Sequence, residues 1–482
     1  TDGGAGIAKS LVLNGVYVLV GGGTADDTAE VAAAITALPT NGKLILAGAG
    51  VTYTCTALTL KSNISVECSG ATIKLKNSAK SSLLSIPASS TNIDLQKLRL
   101  NGNSANNVDL SITDLAMTTG GTTVTSVTGG FLEAWETAGT YRIKITSGTN
   151  FTAGTYNIVT VTNTNTMVID RDATNGSNAS AGVAKVGDEF IGLIYIGNGC
   201  SDLTIDHNYI TDAVGHGILG GNTLTDSSLC WNTIETTLVG SGIDYSRGTG
   251  LATRVKANFN TVTDAGHGGV VGSVAVIDCE MNHNIVDGTG SADCITAYDS
   301  DNVNLSACDN ICRDSGNHGV HVAGPGVVAN NNIVRNPAQS GLMIADTSTD
   351  PPTAFSGFTA NGNNIDGAKG TWGVGVVVLA ASNGTLNGNT SLNNLFYGMQ
   401  LWGYSSGECN NLTVTGNTLQ GVVSQPTLLL GGGTGYGVNT CTITGNNIFD
   451  GSNGIQINAN SDNNLVTANT TSNVTTSISD SG

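Results

Sequence analysis

The 482-residue chain is poor in charge, in aromatic side chains and above all in cations. Charged residues make up 11% and aromatics 5%, and 18 Lys and Arg stand against 36 Asp and Glu. The Leu/Glu/Lys content of helical proteins is missing, which argues against a helical bundle. A formal net charge of −18 leaves few cations to displace phosphate counterions, which argues against nucleic acid as a partner and weighs against a strongly anionic glycan. No apolar run is long enough to span a bilayer, so no membrane association is expected. The sequence starts at Thr1 without a secretory leader and reads as a mature or excised piece. Disorder is the bland alternative for a Gly/Ser/Asn-rich chain. It is disfavoured by 39% apolar residues, gathered in β-branched clusters.

What is abundant is Gly, 66 residues, together with Asn, Thr and Ser. These are the residues that supply turns, including turns with positive φ. They recur with a rhythm: Asn208-Tyr-Ile, Asn232-Thr-Ile, Asn260-Thr-Val, Asn284-Ile-Val, Asn310-Ile-Cys and Asn332-Ile-Val follow one another at about 25 residues per step. One step has room for three short strands and three turns, and stacked steps would lie roughly 4.8 Å apart with parallel hydrogen bonding. The expected fold is an all-β, right-handed parallel β-helix. The recurring Asn has a structural reading as a stacked amide ladder, and by itself carries no chemistry.

The ten Cys do not form a disulfide framework pattern. Cys230, Cys279 and Cys308 fall at strand positions, and most of the set reads as small buried thiols, with Cys308 and Cys312 as one candidate pair. In Thr24-Ala-Asp-Asp-Thr-Ala-Glu-Val31 an acidic cap precedes Val31, Ile35 and Leu38 on one helical face, so a short helix is expected to cover the N-terminal end of the solenoid. Residues 1–107 then comprise this cap and the first coils. From about 108 to 187 the Asn/Gly period disappears, and alternating strands such as Tyr141-Arg-Ile-Lys-Ile145 suggest an inserted antiparallel β subdomain. There Arg142, Lys144 and Arg171 read equally well as solvated strand faces or ligand contacts. Residues 188–482 form the main helix, ending in a weak coil or frayed tail from Asn464.

Chemistry is sought where a coil carries residues that the repeat does not need. Aligned on the Gly after each Asn turn, one column holds His216, Ser241, His267, Asp293 and His318, and the column three residues on holds Leu219, Asp244, Val270, Thr296 and His321. Four of the six His fall in these columns, which are expected to converge on one exterior groove. Trp372, Tyr397 and Trp402 continue it with aromatic faces suited to sugar stacking, or else pack under loops. A transition metal or calcium ion held by His and Asp from successive coils is an alternative, although no compact ligand spacing occurs. A Ser/His/Asp hydrolase is disfavoured because Ser241 lacks a nucleophile elbow. Plain structural stacking is a further reading.

Acid/base cleavage of a glycan needs paired carboxylates, roughly 6.5–9.5 Å apart for inversion. Asp244 and Asp293, two coils apart, would stand about 9.6 Å apart before any lateral offset. His267 and His318 would tune them or bind the sugar, with His216, Arg247, Tyr298 and His321 along the flanks.

The Asp293-Cys-Ile295 run, followed one coil later by Asn317-His318-Gly319, resembles the motifs of polygalacturonase-type β-helix glycoside hydrolases. The Thr24-Ala-Asp-Asp-Thr28 opening resembles pectate-lyase-like β-helices and phage tailspike depolymerases. The first Asp of the family's pair is here Ala292, its upstream N-x-D is absent, and no R-I-K follows His318. The resemblance implies an extracellular or virion-associated carbohydrate-active enzyme, first a glycoside hydrolase, without cofactor or with calcium, and a homotrimer as in tailspikes. Polyuronate lyases and C5-epimerases share the fold. Their chemistry would call on His267, His318, His321 and Tyr298, with Arg254 or Lys256 nearby, but Ala297-Tyr-Asp-Ser-Asp301 only faintly echoes the epimerase signature. A non-catalytic glycan-binding adhesin or virion fibre is the third class.

Overall fold

The computed structural model describes residues 9–23, 25–247, 250–273 and 275–481. Thr24, the first residue of the expected capping motif, and the terminal Gly482 lie outside them. The chain divides into two compact units. The first comprises residues 1–245 and 262–267, and the second residues 246–261 and 268–482. Each is a parallel β-solenoid, and among the described residues helix is confined to three short segments. None of the helices described is long and apolar enough to cross a membrane.

In the first unit the chain opens with an antiparallel pair, Lys9–Leu13 against Val16–Val20, which the Gly-rich opening did not suggest. Val16–Val20 then pairs in parallel with Gly42–Ala47, and the stack continues through Ile64–Ser69, Thr91–Gln96 and Cys200–Asp206. The capping helix is Thr28–Ala37, with Val31, Ala34 and Ile35 buried. Asp26 Oδ1 accepts from the Thr28 amide, whereas Asp27 turns to the coil and accepts from the Thr54 amide. Lys61 Nζ donates to the carbonyls of Thr36 and Leu38. These bonds satisfy groups at both helix ends that the helix leaves unpaired.

Between Leu110 and Asp188 six antiparallel strands close into a barrel around Leu115, Val124, Ile143 and Met167. Here the pattern alternates inward and outward with period two, and closure removes free strand edges. Arg142 contacts Glu189, and Arg171 pairs with Asp170 and lies over the Tyr156 ring.

In the second unit three parallel sheets rise together. One runs Val270–Val271, Ile295–Ala297, Val320–Val322, Leu342–Ile344 and Val376–Leu379, with Met399–Gly403 and Leu428–Gly432 beyond. The register pairs Thr296 with His321 and with Val271, so the outer column passes through Val271 rather than Val270. The last coil is built, but its strands Leu465–Thr467, Thr470–Ser472 and Thr476–Asp480 are mostly exposed.

The amide ladder sets this register. Starting from Asn260, the Oδ1 atoms of Asn284, Asn310, Asn332, Asn363, Asn389, Asn417, Asn446 and Asn469 each accept the backbone N–H and an Nδ2–H of the ladder Asn one coil earlier, at 2.8–3.1 Å. The second Nδ2–H reaches a carbonyl of the preceding coil, as from Asn310 to Met281. The residue before each ladder Asn is left-handed, as at Asn331 with φ 56° and Gly362 with φ 65°. Replacing Asn310 by Ala would strip the acceptor from the Asn284 amide and side chain and the donor from the Met281 carbonyl. Buried groups left unpaired cost on the order of 1–3 kcal/mol each, so Asn310→Ala, which leaves three, is expected to destabilise by at least about 3 kcal/mol. A lowered urea midpoint would register it; an unchanged one would show that water replaces the lost amide.

All ten Cys are free thiols. The Cys308–Cys312 pairing is therefore not formed: Cys312 is buried next to Cys294, while the Cys308 thiol lies outward against the Val328 carbonyl. Burial pushes the Cys279 thiol up to about 11 and Cys409 up to about 12.

Candidate active site

The columns found in the sequence behave differently in the two units. In the first, His216 is buried and its Nδ1 accepts from the Ser241 amide one coil on. The substrate-contact role expected for His216 is thus replaced by a structural one, because its ring is enclosed and hydrogen-bonded to the next rung. Asp244 is also buried, in register with Leu219. His267 stands with Nδ1 3.6 Å from Glu189 Oε2, the carboxylate that also receives Arg142.

In the second unit the same column carries a tighter cluster. Strand Ile295–Ala297 places Asp293 at its entrance, and the next coil brings His318 and His321 around it. Asp293 Oδ1 accepts from the His318 amide at 2.8 Å, and Oδ2 lies 3.2 Å from His321 Nδ1. His321 Nε2 lies 3.1 Å from the Ala345 carbonyl and 3.4 Å from the Thr347 hydroxyl. With Asp293 ionised, His321 Nδ1 is the donor of the contact to its carboxylate. Tyr298 stacks on its ring at 5.1 Å, and His318 meets it edge-on at 5.1 Å.

Burial by itself would raise the Asp293 carboxyl. The hydrogen bond from His321, the two histidine rings and the His318 amide outweigh that and hold it down at about 2. Burial drives His318 the other way, down to about 4, so it is neutral at pH 7. Its Nδ1 accepts from the Ser340 amide at 3.1 Å, which leaves the proton on Nε2. His318 is therefore a hydrogen-bond donor, with no partner for Nε2 among the described residues.

His318 and His321 form part of the lining of a cavity of about 430 Å³, within the usual range for small-ligand sites. Its other walls include Asn317, Gln339, Thr347, Asp350, Trp372 and Tyr404. Trp372 is 40% exposed. Burial, with the Asp350 charge added, raises the Tyr404 hydroxyl. Tyr397 and Trp402, expected as sugar platforms, instead pack against an apolar cluster with Met343, Val377 and Leu379, where that contact satisfies their faces. Arg247 is half-buried after Tyr245. Sequence reasoning missed Asp350, Tyr404 and Gln339 as cavity residues. The available signal was the 31-residue step from Asn332 to Asn363, against 22 and 26 for the two steps before it. The extra length holds the Asp346–Thr353 loop.

Ligand atoms of Asp293, His318 and His321 lie within 4.8 Å of one another. They fit a metal poorly. His318 accepts at Nδ1 and has its proton on Nε2, leaving no lone pair to give, and both His321 nitrogens are already engaged. Calcium, which takes oxygen ligands, fits two imidazoles less still.

No protein-family model matches the chain, and no curated protein matches it in sequence. Solved structures similar to it include the A-module of the mannuronan C-5 epimerase AlgE6 from Azotobacter vinelandii, at 14% identity over 94% of this chain and 97% of that one, with a TM-score of 0.45. The family 28 exopolygalacturonase of Yersinia enterocolitica is 12% identical over 95% of this chain and 76% of that one, with a TM-score of 0.43. An N-terminal fragment of bacteriophage phi29 gene product 12 is 13% identical over 94% and 64%, with a TM-score of 0.49. Likenesses at this level assign no family; the parallel β-solenoid is established by the chain's own strand pairing.

Proposed function

We propose that the protein is an enzyme acting on a polysaccharide at the second-unit cavity, and that its chemistry is proton transfer at the carbon next to a uronate carboxylate, as in elimination or C5 epimerisation. The observation that carries this is the Asp293–His321–His318 cluster, a buried carboxylate 3.2 Å from one imidazole and bonded to the backbone of the other, with both rings on the cavity wall. Imidazole N–H donors fixed in this way would stabilise the anion that develops when a proton α to a carboxylate is removed. His318 supplies an Nε2–H donor beside it. Asp350 is the candidate base, and Tyr404, kept protonated by burial and by Asp350, the candidate proton donor. Trp372 offers a flat apolar face to a sugar ring. The chain's acidity weighs against an anionic glycan only at long range, since charges beyond a Debye length are screened.

Paired-carboxylate hydrolysis through Asp244 and Asp293 would make Asp293, held at about 2 and so ionised, the base or nucleophile, and would leave the acid role to Asp244.

The test is incubation with a panel of neutral and uronic polysaccharides, following reducing ends, the ultraviolet absorbance of unsaturated uronate and proton exchange at C5. Absorbance or exchange is the expected result. Reducing ends without either would favour hydrolysis, and binding without turnover would make the protein an adhesin.

A further inference from the structure

One dipeptide, Gln339 on the cavity wall and Ser340 buried behind it, bonds to both the chemical and the sugar-stacking parts of the cavity. Gln339 Oε1 accepts from the Trp372 amide at 2.9 Å, and Ser340 Oγ donates to the Trp372 carbonyl at 2.9 Å. The Ser340 amide in turn donates to His318 Nδ1. Both main-chain polar groups of Trp372 are thereby gripped from the coil that fixes the His318 tautomer. The fit is close: a Cβ added at Gly370 would come within 2.4 Å of the Ala338 carbonyl and 2.9 Å of the Gln339 side chain. Gly370 has φ 71°, a conformation only a residue without Cβ adopts easily. Ser340 is fully buried and spends its hydroxyl on this one bond. A hydroxyl removed from water without a partner is costly, so this bond holds the Trp372 backbone in place rather than decorating it.

We infer that Gln339 and Ser340 are positioning residues that hold the Trp372 indole at a fixed offset from the His318 donor nitrogen, so that a sugar stacked on Trp372 meets His318 with its polar groups in register. The inference deepens the proposed function and rests on it for its catalytic part. Its binding part stands separately, because stacking on Trp372 needs no turnover. A loose indole would cost affinity and orientation together.

The experiment compares Ser340→Ala, Gln339→Leu, Gln339→Glu and Trp372→Ala in the full chain, with thermal melting as a control for folding. Oligouronate binding is followed by tryptophan fluorescence, and kcat and KM are measured separately. Ser340→Ala and Gln339→Leu should each weaken binding or raise KM on the order of tenfold. Gln339→Glu, which keeps an acceptor oxygen for the Trp372 amide, should restore most of it. Added to Trp372→Ala, neither change should cost anything more, because the group they position is gone. Unaltered binding and KM in folded Ser340→Ala and Gln339→Leu would overturn the inference while leaving the proposed function intact. Weakened binding in a protein that turns over none of the panel would uphold the positioning role and sink the enzymatic reading. Full additivity with Trp372→Ala would also overturn it, by showing that the two residues act elsewhere.

Discussion

Asp293→Asn is expected to lower turnover by about 10²–10⁴-fold and to leave the fold in place. The amide fills the volume of the carboxylate, and its Oδ1 can still accept from the His318 N–H. Its Nδ2 then faces His321 Nδ1 as a donor. His321 Nδ1, which donates to the carboxylate in the wild type, then has to accept, with its proton moved to Nε2 opposite the Ala345 carbonyl. Every heavy atom keeps its place while the carboxylate charge that holds the imidazole donor is lost. Steady-state rates on the substrate found in the panel, read beside melting temperatures, separate the outcomes. A folded variant with wild-type turnover would show that Asp293 serves only to bind the next coil.

Acidification from pH 7 to about pH 4 is expected to destabilise the second unit, chiefly through His318. Its folded value lies near 4 and its ordinary value at 6.5. Between these the unfolded chain takes up a proton that the folded chain refuses. Stability is therefore fully present above 6.5 and is lost as the pH falls toward 4, by up to about 3 kcal/mol. Asp293, held at about 2 against 3.8, adds a loss of the same sign at still lower pH. His318→Asn, whose Oδ1 can take the Ser340 amide in place of Nδ1, should flatten the decline between pH 6.5 and 4. Urea midpoints across that range decide it; an equal slope in the variant would place the acid sensitivity elsewhere.

The solenoid was legible because its signal is written many times over. Asn208 through Asn332 announce the step, and the ladder that makes Asn necessary is satisfied only by Asn, whose side chain matches the amide it pairs with. Which His would gather was legible in part. Asp293, His318 and His321 meet because column positions in a parallel stack are set by that step. The one-residue error at Val270 arose where Gly268-Gly269 blurs the alignment on glycine. Burial was harder to see: His216 and His318 share a column and a habit of accepting the next amide, and only the neighbouring loops decide which one meets a cavity. Those loops follow no period. Asp350 and Tyr404 come from such irregular stretches, and Trp402 and Tyr397 differ from Trp372 only in what packs over them.

The Asn spine also acts as a ruler that ignores what hangs from it. Steps of 22 and 31 residues return to the same hydrogen-bonded mark, so a loop can lengthen or shorten without shifting the rungs above and below. In such a molecule the walls around the Asp293 cluster are open to rapid change while its floor is conserved by geometry. New substrate preferences can then arise by insertion and deletion in single coils, with the Asp293–His318–His321 cluster left in place.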